Sequence, residues 1–242
     1  MSHWVKQGLL YALPAGGLHP KLKTHAANPL PVLLHGDTYR IYFSARDDRQ
    51  RSSIGAVDID IVARRIVCEH REPFFEHGAP GSYFEHGVSI GNCYECNGVL
   101  YMLFMGWQSP PDAHWRGEIG RLIVSPDFSL RLDGTDGAPF MGRDPTDPVS
   151  LSYPWVMRFG DRYRMWYPST VNWDAGNGEM LAVLHVAESL DGQAWERLGL
   201  GVPYEVGRAQ AFSHPCVVGN ESTGYRMWFS HRGSSGLSYR IG

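Results

Sequence analysis

Tyr39-Arg40-Ile41-Tyr42-Phe43-Ser44, Leu100-Tyr101-Met102-Leu103-Phe104-Met105, Tyr163-Arg164-Met165-Trp166-Tyr167-Pro168 and Tyr225-Arg226-Met227-Trp228-Phe229-Ser230 are four copies of one strand. Their first residues, Tyr39, Leu100, Tyr163 and Tyr225, are separated by 61, 63 and 62 residues. A step that even marks one supersecondary unit copied along the chain.

The flanks of each copy define the unit. Upstream lies a short apolar run, opened by proline in three copies (Pro29 to Leu34, Pro154 to Phe159, Pro215 to Val218) and joined to the repeated strand by a turn such as His35-Gly36-Asp37 or Phe159-Gly160-Asp161. That is a hairpin pattern. Downstream, after a polar loop, comes a third apolar run: Ile54 to Ile59, Ile119 to Ser125, Leu181 to Ser189 and Leu237 to Ile241. In the third copy Asp191-Gly192 supplies a further turn into a fourth strand. Four-stranded meanders repeated radially make a propeller. The expected fold is an all-β, five-bladed β-propeller type in one domain, with four blades recognisable as units of about 25–84, 85–147, 148–209 and 210–242.

Composition agrees. The 242 residues include 28 Gly, 16 Pro and 12% aromatics, and no long segment carries apolar residues at helical spacing. A net charge of -3 and a pI near 6.4 give no electrostatic footprint for nucleic acid. No apolar run approaches the roughly 18 residues that a membrane span needs. Met1-Ser2-His3-Trp4 is not a secretion signal, so a cytoplasmic protein is expected. Cys68, Cys93, Cys96 and Cys216 fit a reduced compartment. Cys93-Tyr94-Glu95-Cys96 has the spacing of half a zinc ribbon, but no second pair follows, and two unrelated thiols beside an Asn97-Gly98 turn are the expectation.

Five units of about 62 residues need roughly 310, whereas Gly242 falls inside the third strand of the fourth unit. The expectation is an incomplete ring with an exposed blade edge open to self-association, with Val5 to Tyr11 a candidate strand for the last blade.

Topology locates a site. In a four-stranded meander the start of strand one, the end of strand two and the start of strand three share a rim. Rim residues are His25 and Asn28; Glu85, His86 and Ser89; Ser150, Ser152 and Tyr153; and Gln210, Ser213 and His214. The following loops add Arg46, Asp47 and Asp48, then Trp107, Gln108, Asp112, His114, Trp115 and Arg116, then Asn172, Trp173 and Asp174, then His231 and Arg232. Tryptophan, arginine, carboxylate and amide together suit a carbohydrate ligand, since aromatic faces cover the apolar side of a sugar ring while polar groups bind its hydroxyls. Arg46, Asn28, Trp107, Trp115, Trp173 and Arg232 are the candidate substrate-binding residues. Packing against a neighbouring blade is the competing role for the tryptophans, and a loop-closing salt bridge for Arg46-Asp47. Arg40, Arg164, Arg226 and Arg240 alternate with apolar positions and are expected as repeated structural pairs between blades.

The runs His25-Ala26-Ala27-Asn28-Pro29, Arg40 to Asp47, Met105-Gly106-Trp107, Pro154-Trp155-Val156, Tyr163 to Tyr167, His185 to Ser189 and Tyr239-Arg240-Ile241-Gly242 resemble a group of five-bladed glycoside-hydrolase-like propellers. That group is related to glycoside hydrolase families 43, 32 and 130 and occurs among bacterial surface-polysaccharide genes. The resemblance covers nearly the whole chain and implies a further blade after Gly242. It implies action on a glycan or a glycosylated intermediate of surface polysaccharide. Family 43 hydrolases carry an aspartate base just before the first proline, an aspartate in the second unit and a glutamate acid two residues before the third unit's proline. The matching positions here are Asn28, Val88 or Ser89, and Ser152, none a carboxylate.

Two arrangements restore chemistry. Glu85 with Asp47 is an acid and base pair for inverting hydrolysis if the carboxyls stand roughly 6.5–9.5 Å apart. Alternatively His25, His86 and His214, at nearly equivalent rim positions, form with Glu85 a candidate divalent metal site, zinc by ligand type. A non-catalytic carbohydrate-binding propeller is the alternative to hydrolysis.

Overall fold

The computed structural model describes residues 5–242; the leading Met1-Ser2-His3-Trp4, read above as no secretion signal, lie outside them. The chain divides into two compact units, Met1–Glu76 and His77–Gly242. Every regular element among the described residues is a strand. None of the described residues forms a helix long and apolar enough to cross a membrane.

The first unit is one antiparallel meander: β1 (Thr24–His35), β2 (Thr38–Arg46), β3 (Ser52–Asp60) and β4 (Arg65–Glu69), each paired with the next. The β1–β2 turn is Gly36-Asp37, with Gly36 left-handed at φ 52°. On β2 and β3 alternate residues reach a core of Leu22, Phe43, Ala45, Val57 and Ile59. Val5 to Tyr11 forms no strand. That expectation fails because Tyr11, with Leu13 and Leu18, packs on the same core, and its hydroxyl donates to Glu69 at 3.0 Å.

The second unit holds three more meanders. The first is β5 (Gly87–Cys96), β6 (Val99–Gln108), β7 (Arg116–Val124) and β8 (Leu130–Leu132). The next has β9 (Ser150–Leu151), β10 (Trp155–Phe159), β11 (Arg162–Asn172), β12 (Leu181–Ser189) and β13 (Glu196–Leu200), with β9 and β10 both beside β11. The last is β14 (Ala211–Asn220), β15 (Gly224–Arg232) and β16 (Arg240–Ile241). Asn97-Gly98 turns β5 into β6 with φ of 51° and 74°, the type I′ geometry this dipeptide favours.

Period-two alternation on β11 divides the packing. Tyr163, Met165 and Tyr167 enter a cluster with Tyr94, Leu103, Ile119, Leu151 and Val156, while Trp166 turns the other way to Val186 and Val217. Each fully buried side chain of this size contributes about 1.5–3 kcal/mol. The β5 and β10 strands are tied by one side chain. Asn92 accepts the Val156 N–H at 2.8 Å and donates to the Val156 carbonyl at 2.8 Å, replacing a rung of backbone ladder. Beside it Gly91 admits no side chain, because a Cβ there would stand 2.4 Å from the Pro154 carbonyl oxygen.

The thiols are separate. Cys96 is buried with Sγ 2.8 Å from the Asp191 carbonyl oxygen, and burial alone pushes the Cys93 thiol up to about 12. All four cysteines are free, and the half-ribbon spacing is a strand that runs into its turn. The repeated arginines differ from expectation. Arg40 bonds Asp58 at 2.8 Å and Arg164 bonds Glu188 at 2.8 Å, each pair directly opposite on neighbouring strands of one meander rather than between blades.

Candidate functional site

The ladder registers bear out the rim. Thr24, Arg46 and Ser52 lie side by side across the first unit's sheet, as do Gly87, Trp107 and Gly117, and Ser150, Thr170 and Ala182, in the second. At this rim the innermost strands are strained. Asn28, Tyr153 and His214, each just before an opening proline, have φ of 52°, 39° and 48°, a region that costs an L-residue about 1–2 kcal/mol. The pairing of β1 and of β14 slips there, between Ala27 and Leu30 and between Ser213 and Cys216. A bulge of this kind re-aims side chains.

In the first unit the expected base is otherwise engaged. Asp47 is buried, and its Oδ1 accepts the N–H groups of Arg49 and Arg51 at 2.9 and 2.8 Å while Oδ2 accepts Arg51 Nε at 2.9 Å. Burial alone would raise its pKa, but the backbone and guanidinium hydrogen bonds from Arg51 outweigh that and hold it below the usual carboxylate range. Asp47 therefore closes its loop, with both carboxylate oxygens engaged by Arg49 and Arg51. Asp48 pairs with Lys23, Arg46 is exposed and reaches Gln50 at 3.3 Å, and His25 is exposed with Nδ1 2.9 Å from Thr24 Oγ1.

In the second unit Tyr153 and His214 are brought together as stacked rings, 3.6 Å between centroids and 25° between planes. They share a cavity of about 360 Å³ with Trp115, Phe212 and Tyr239 and with the side chains of Ser152, Thr170, Ser213 and Ser230. Ser213 Oγ lies 2.6 Å from His214 Nδ1. His214 is exposed in part, but desolvation of its ring disfavours the charged form and lowers its pKa to about 4. The imidazole is neutral near neutrality.

Two side chains that sequence reading left unassigned engage Arg232. Tyr239 lies under the Arg232 guanidinium, 4.7 Å from ring centroid to Cζ, and Glu179, 3% exposed, meets Arg232 Nε at 2.7 Å. Arg232 is thus committed to Glu179 and Tyr239 and positions the wall instead of offering a free guanidinium. The buried Gln210 holds the Glu179 loop, donating to Asn177 Oδ1 at 3.1 Å and to the Glu179 and Met180 carbonyls at 3.2 Å. The one sequence signal for that loop was its glycines, Gly176 and Gly178, with φ of 92° and 73° around Asn177.

Beside the cavity Trp173 stacks on His114 at 4.6 Å and meets Trp115 edge-on at 5.0 Å. On the same unit's first meander, Glu85 Oε1 lies 3.2 Å from His86 Nδ1, the His86 ring tilts toward Trp107 at 5.9 Å, and the Ser109 N also lies 3.2 Å from His86 Nδ1. Among the described residues the donor atoms that gather within 4.8 Å of one another belong to Asp58, Cys68 and His70 of the first unit.

One more polar cluster is structural. Asp147, fully buried, accepts from His185 Nδ1 at 2.8 Å and Tyr167 Oη at 3.0 Å and pairs with Arg197, which also meets Asp144 at 3.0 Å. Burial alone would raise the Asp147 pKa, but the hydrogen bonds from His185 and Tyr167 prevail and lower it. The network bolts the loop before β9 to β11, β12 and β13.

No family model matches the chain. Among solved structures it superposes on a sucrose-6-phosphate hydrolase from Lactobacillus gasseri with a TM-score of 0.67 at 12% identity, over 87% of this chain and 41% of that one. A β-fructofuranosidase of family GH32 from Bombyx mori gives 0.66 at 13% identity, over 90% and 45%. An α-L-arabinanase from Cellvibrio cellulosa, complexed with arabinohexaose, gives 0.62 at 11%, over 88% and 71%. The chain spans less than half of the first two proteins, and identities this low establish the fold alone: an all-β propeller type. In sequence it is 37% identical over 240 residues to the uncharacterized protein MT1551 of Mycobacterium tuberculosis, covering 98% of this chain and 78% of the relative. Rv1502 of the same species is 36% identical over the same shares. The chain belongs to the family of MT1551 and Rv1502.

Proposed function

We propose that this protein is a glycoside-hydrolase-like propeller that recognises a glycan, holding one sugar ring in the cavity of its second unit. The observation that carries the reading is the wall of that cavity, where Trp115, Tyr153 and Tyr239 stand among Ser152, Thr170, Ser213 and the neutral His214. Aromatic faces take the C–H side of a pyranose or furanose, and hydroxyls with an imidazole of either hydrogen-bond sense take its OH groups. At about 360 Å³ the cavity is at the small end of ligand pockets, which suits one ring. Solved neighbours that carry the names of sucrose-phosphate, fructoside and arabinan hydrolases support a carbohydrate over other small ligands. A glycan or glycosylated intermediate of a surface polysaccharide is the class we favour, and four free thiols support a reducing compartment.

The test is saturation-transfer NMR against a panel of mono- and oligosaccharides. Trp115→Ala should weaken the best ligand about tenfold, near 1.4 kcal/mol. A panel without a saturable ligand, or a ligand indifferent to Trp115→Ala, removes the reading.

Inverting hydrolysis is the second reading, favoured by Glu85, whose side chain is 25% exposed beside His86 and Trp107. Glu85 would protonate the leaving oxygen while water attacks the opposite face of the ring and gives its proton to a second carboxylate acting as base. Glu85→Gln should then abolish the growth of new anomeric proton signals while the fold is retained. Turnover that survives the change rules out Glu85.

A further inference from the structure

The strand register of the first unit sets three side chains in a row. Arg40 on β2 is opposite Asp58 on β3, and Asp58 is opposite Cys68 on β4. Residues directly opposite share a face of the sheet, and residues two apart along an extended chain return to it, so Cys68-Glu69-His70 delivers a thiol and an imidazole to the side where Asp58 stands. One ligand atom from each of Asp58, Cys68 and His70 lies within 4.8 Å of the other two.

We propose that Asp58, Cys68 and His70 bind a divalent transition metal of the zinc type. Thiolate, imidazole and carboxylate are the donors that zinc and cobalt take in tetrahedral sites, whereas calcium and magnesium require more oxygens. Three protein ligands leave the fourth position to water. Two ionised donors, Asp58 and the Cys68 thiolate, balance the charge of the dication.

The supporting groups are in place. Arg40 donates to both Asp58 oxygens, at 2.8 and 2.9 Å, which orients the carboxylate and leaves further lone pairs on it. His70 Nε2 stands 3.0 Å from Asp58 Oδ2, and a metal would take the place of the proton between them. The edge of the His70 ring meets Phe74 at 5.1 Å, and Arg40 covers the same ring at 5.0 Å, so both partners of Asp58 rest on one aromatic wall. Asp58 is buried and Cys68 exposed, which gives the ion an entry path from the thiol side.

The probe is cobalt(II), titrated into the full chain with a non-thiol reductant and read by absorbance. Expected are one equivalent bound, a thiolate-to-cobalt charge-transfer band, its displacement by zinc(II), its loss in Cys68→Ser and its retention in Cys93→Ser and Cys216→Ser. His70→Ala should weaken cobalt at least about tenfold. Far-ultraviolet circular dichroism establishes that each variant folds, and Cys68, being exposed, is the safer position. Absence of the band, its survival in Cys68→Ser, or half-saturation only above about 1 mM overturns the site and leaves Arg40, Asp58 and His70 as a plain ion-pair network.

Discussion

Replacing Asn92 by alanine isolates the cost of one side chain that stands in for backbone pairing. Its amide satisfies both the N–H and the carbonyl of Val156 at 2.8 Å, in a place where Asn92 is 5% and Val156 3% exposed. Alanine leaves two buried backbone groups without partners, at about 1–3 kcal/mol each, so a loss of about 2–6 kcal/mol is expected. Water entering the space left by the amide would bring the result toward the lower figure. At 2–4 °C per kcal/mol for a unit of this size, the transition should fall by roughly 4–24 °C. Urea unfolding followed by tryptophan fluorescence gives the free energy directly, with the slope unchanged because no surface is added. Asn92→Asp is the informative partner. It keeps an acceptor for the Val156 N–H but sets a carboxylate oxygen against the Val156 carbonyl, and should destabilise at least as much as alanine. A loss below about 0.5 kcal/mol for alanine would refute the reasoning, since it would mean that Val156 finds its partners elsewhere.

Two further expectations concern pH. Asp147 has a folded pKa below its unfolded one, so its contribution is fully present above about pH 4 and drains away as pH falls through the folded value. Asp147→Asn should flatten that acid limb and also lower stability at pH 7 by about 1–3 kcal/mol, because the half-buried Arg197 keeps Asp144 but loses its second carboxylate; equal acid slopes in both proteins would contradict the assignment. His214 is held neutral down to about 4 in the folded protein, whereas its unfolded form takes a proton near 6.5. The unfolded state therefore binds more protons between these values, and stability should decline as pH falls through that window. Chemical denaturation of His214→Gln at several pH values should show the decline reduced; an unchanged decline places the titration elsewhere.

The meanders were legible because their signals are local. Alternation on Tyr39 to Ser44 and its copies, with Gly-Asp and Asn-Gly turns, specifies hairpins without any long-range information. The rim followed, since antiparallel order alone sets Ser150 beside Thr170 and Thr170 beside Ala182. What a sequence does not display is how a side chain's lone pairs and charges are used. Asp47 has the residue type of a base, yet four residues downstream Arg51 takes it up, together with two backbone N–H groups. Arg232 has the type of a sugar ligand, yet Glu179, 53 residues away, claims it. Asn92 carried no signal at all, because its partner is a backbone 64 residues further on. Val5 to Tyr11 looked like a strand by apolar content, but an exposed Leu9 and an inward Tyr11 record a covering segment with no ladder of its own.

The backbone itself argues for recognition at the rim. A proline disfavours helical geometry in the residue before it, and the left-handed region costs most residues a further 1–2 kcal/mol or so. Asn28 tolerates that region, because a short amide side chain bonds locally. Tyr153 and His214 adopt the same region, with φ of 39° and 48°, and His214 Nδ1 lies 2.6 Å from Ser213 Oγ. Their rings then stack at 3.6 Å, an arrangement that returns some of the cost and fixes both faces at the mouth of one cavity. A chain needing only a stable blade would place an extended residue before each proline and lose nothing. Positive φ kept at the rim position of all three prolines, and joined in the second unit to a stacked aromatic pair, supports the proposed recognition of a glycan at this surface.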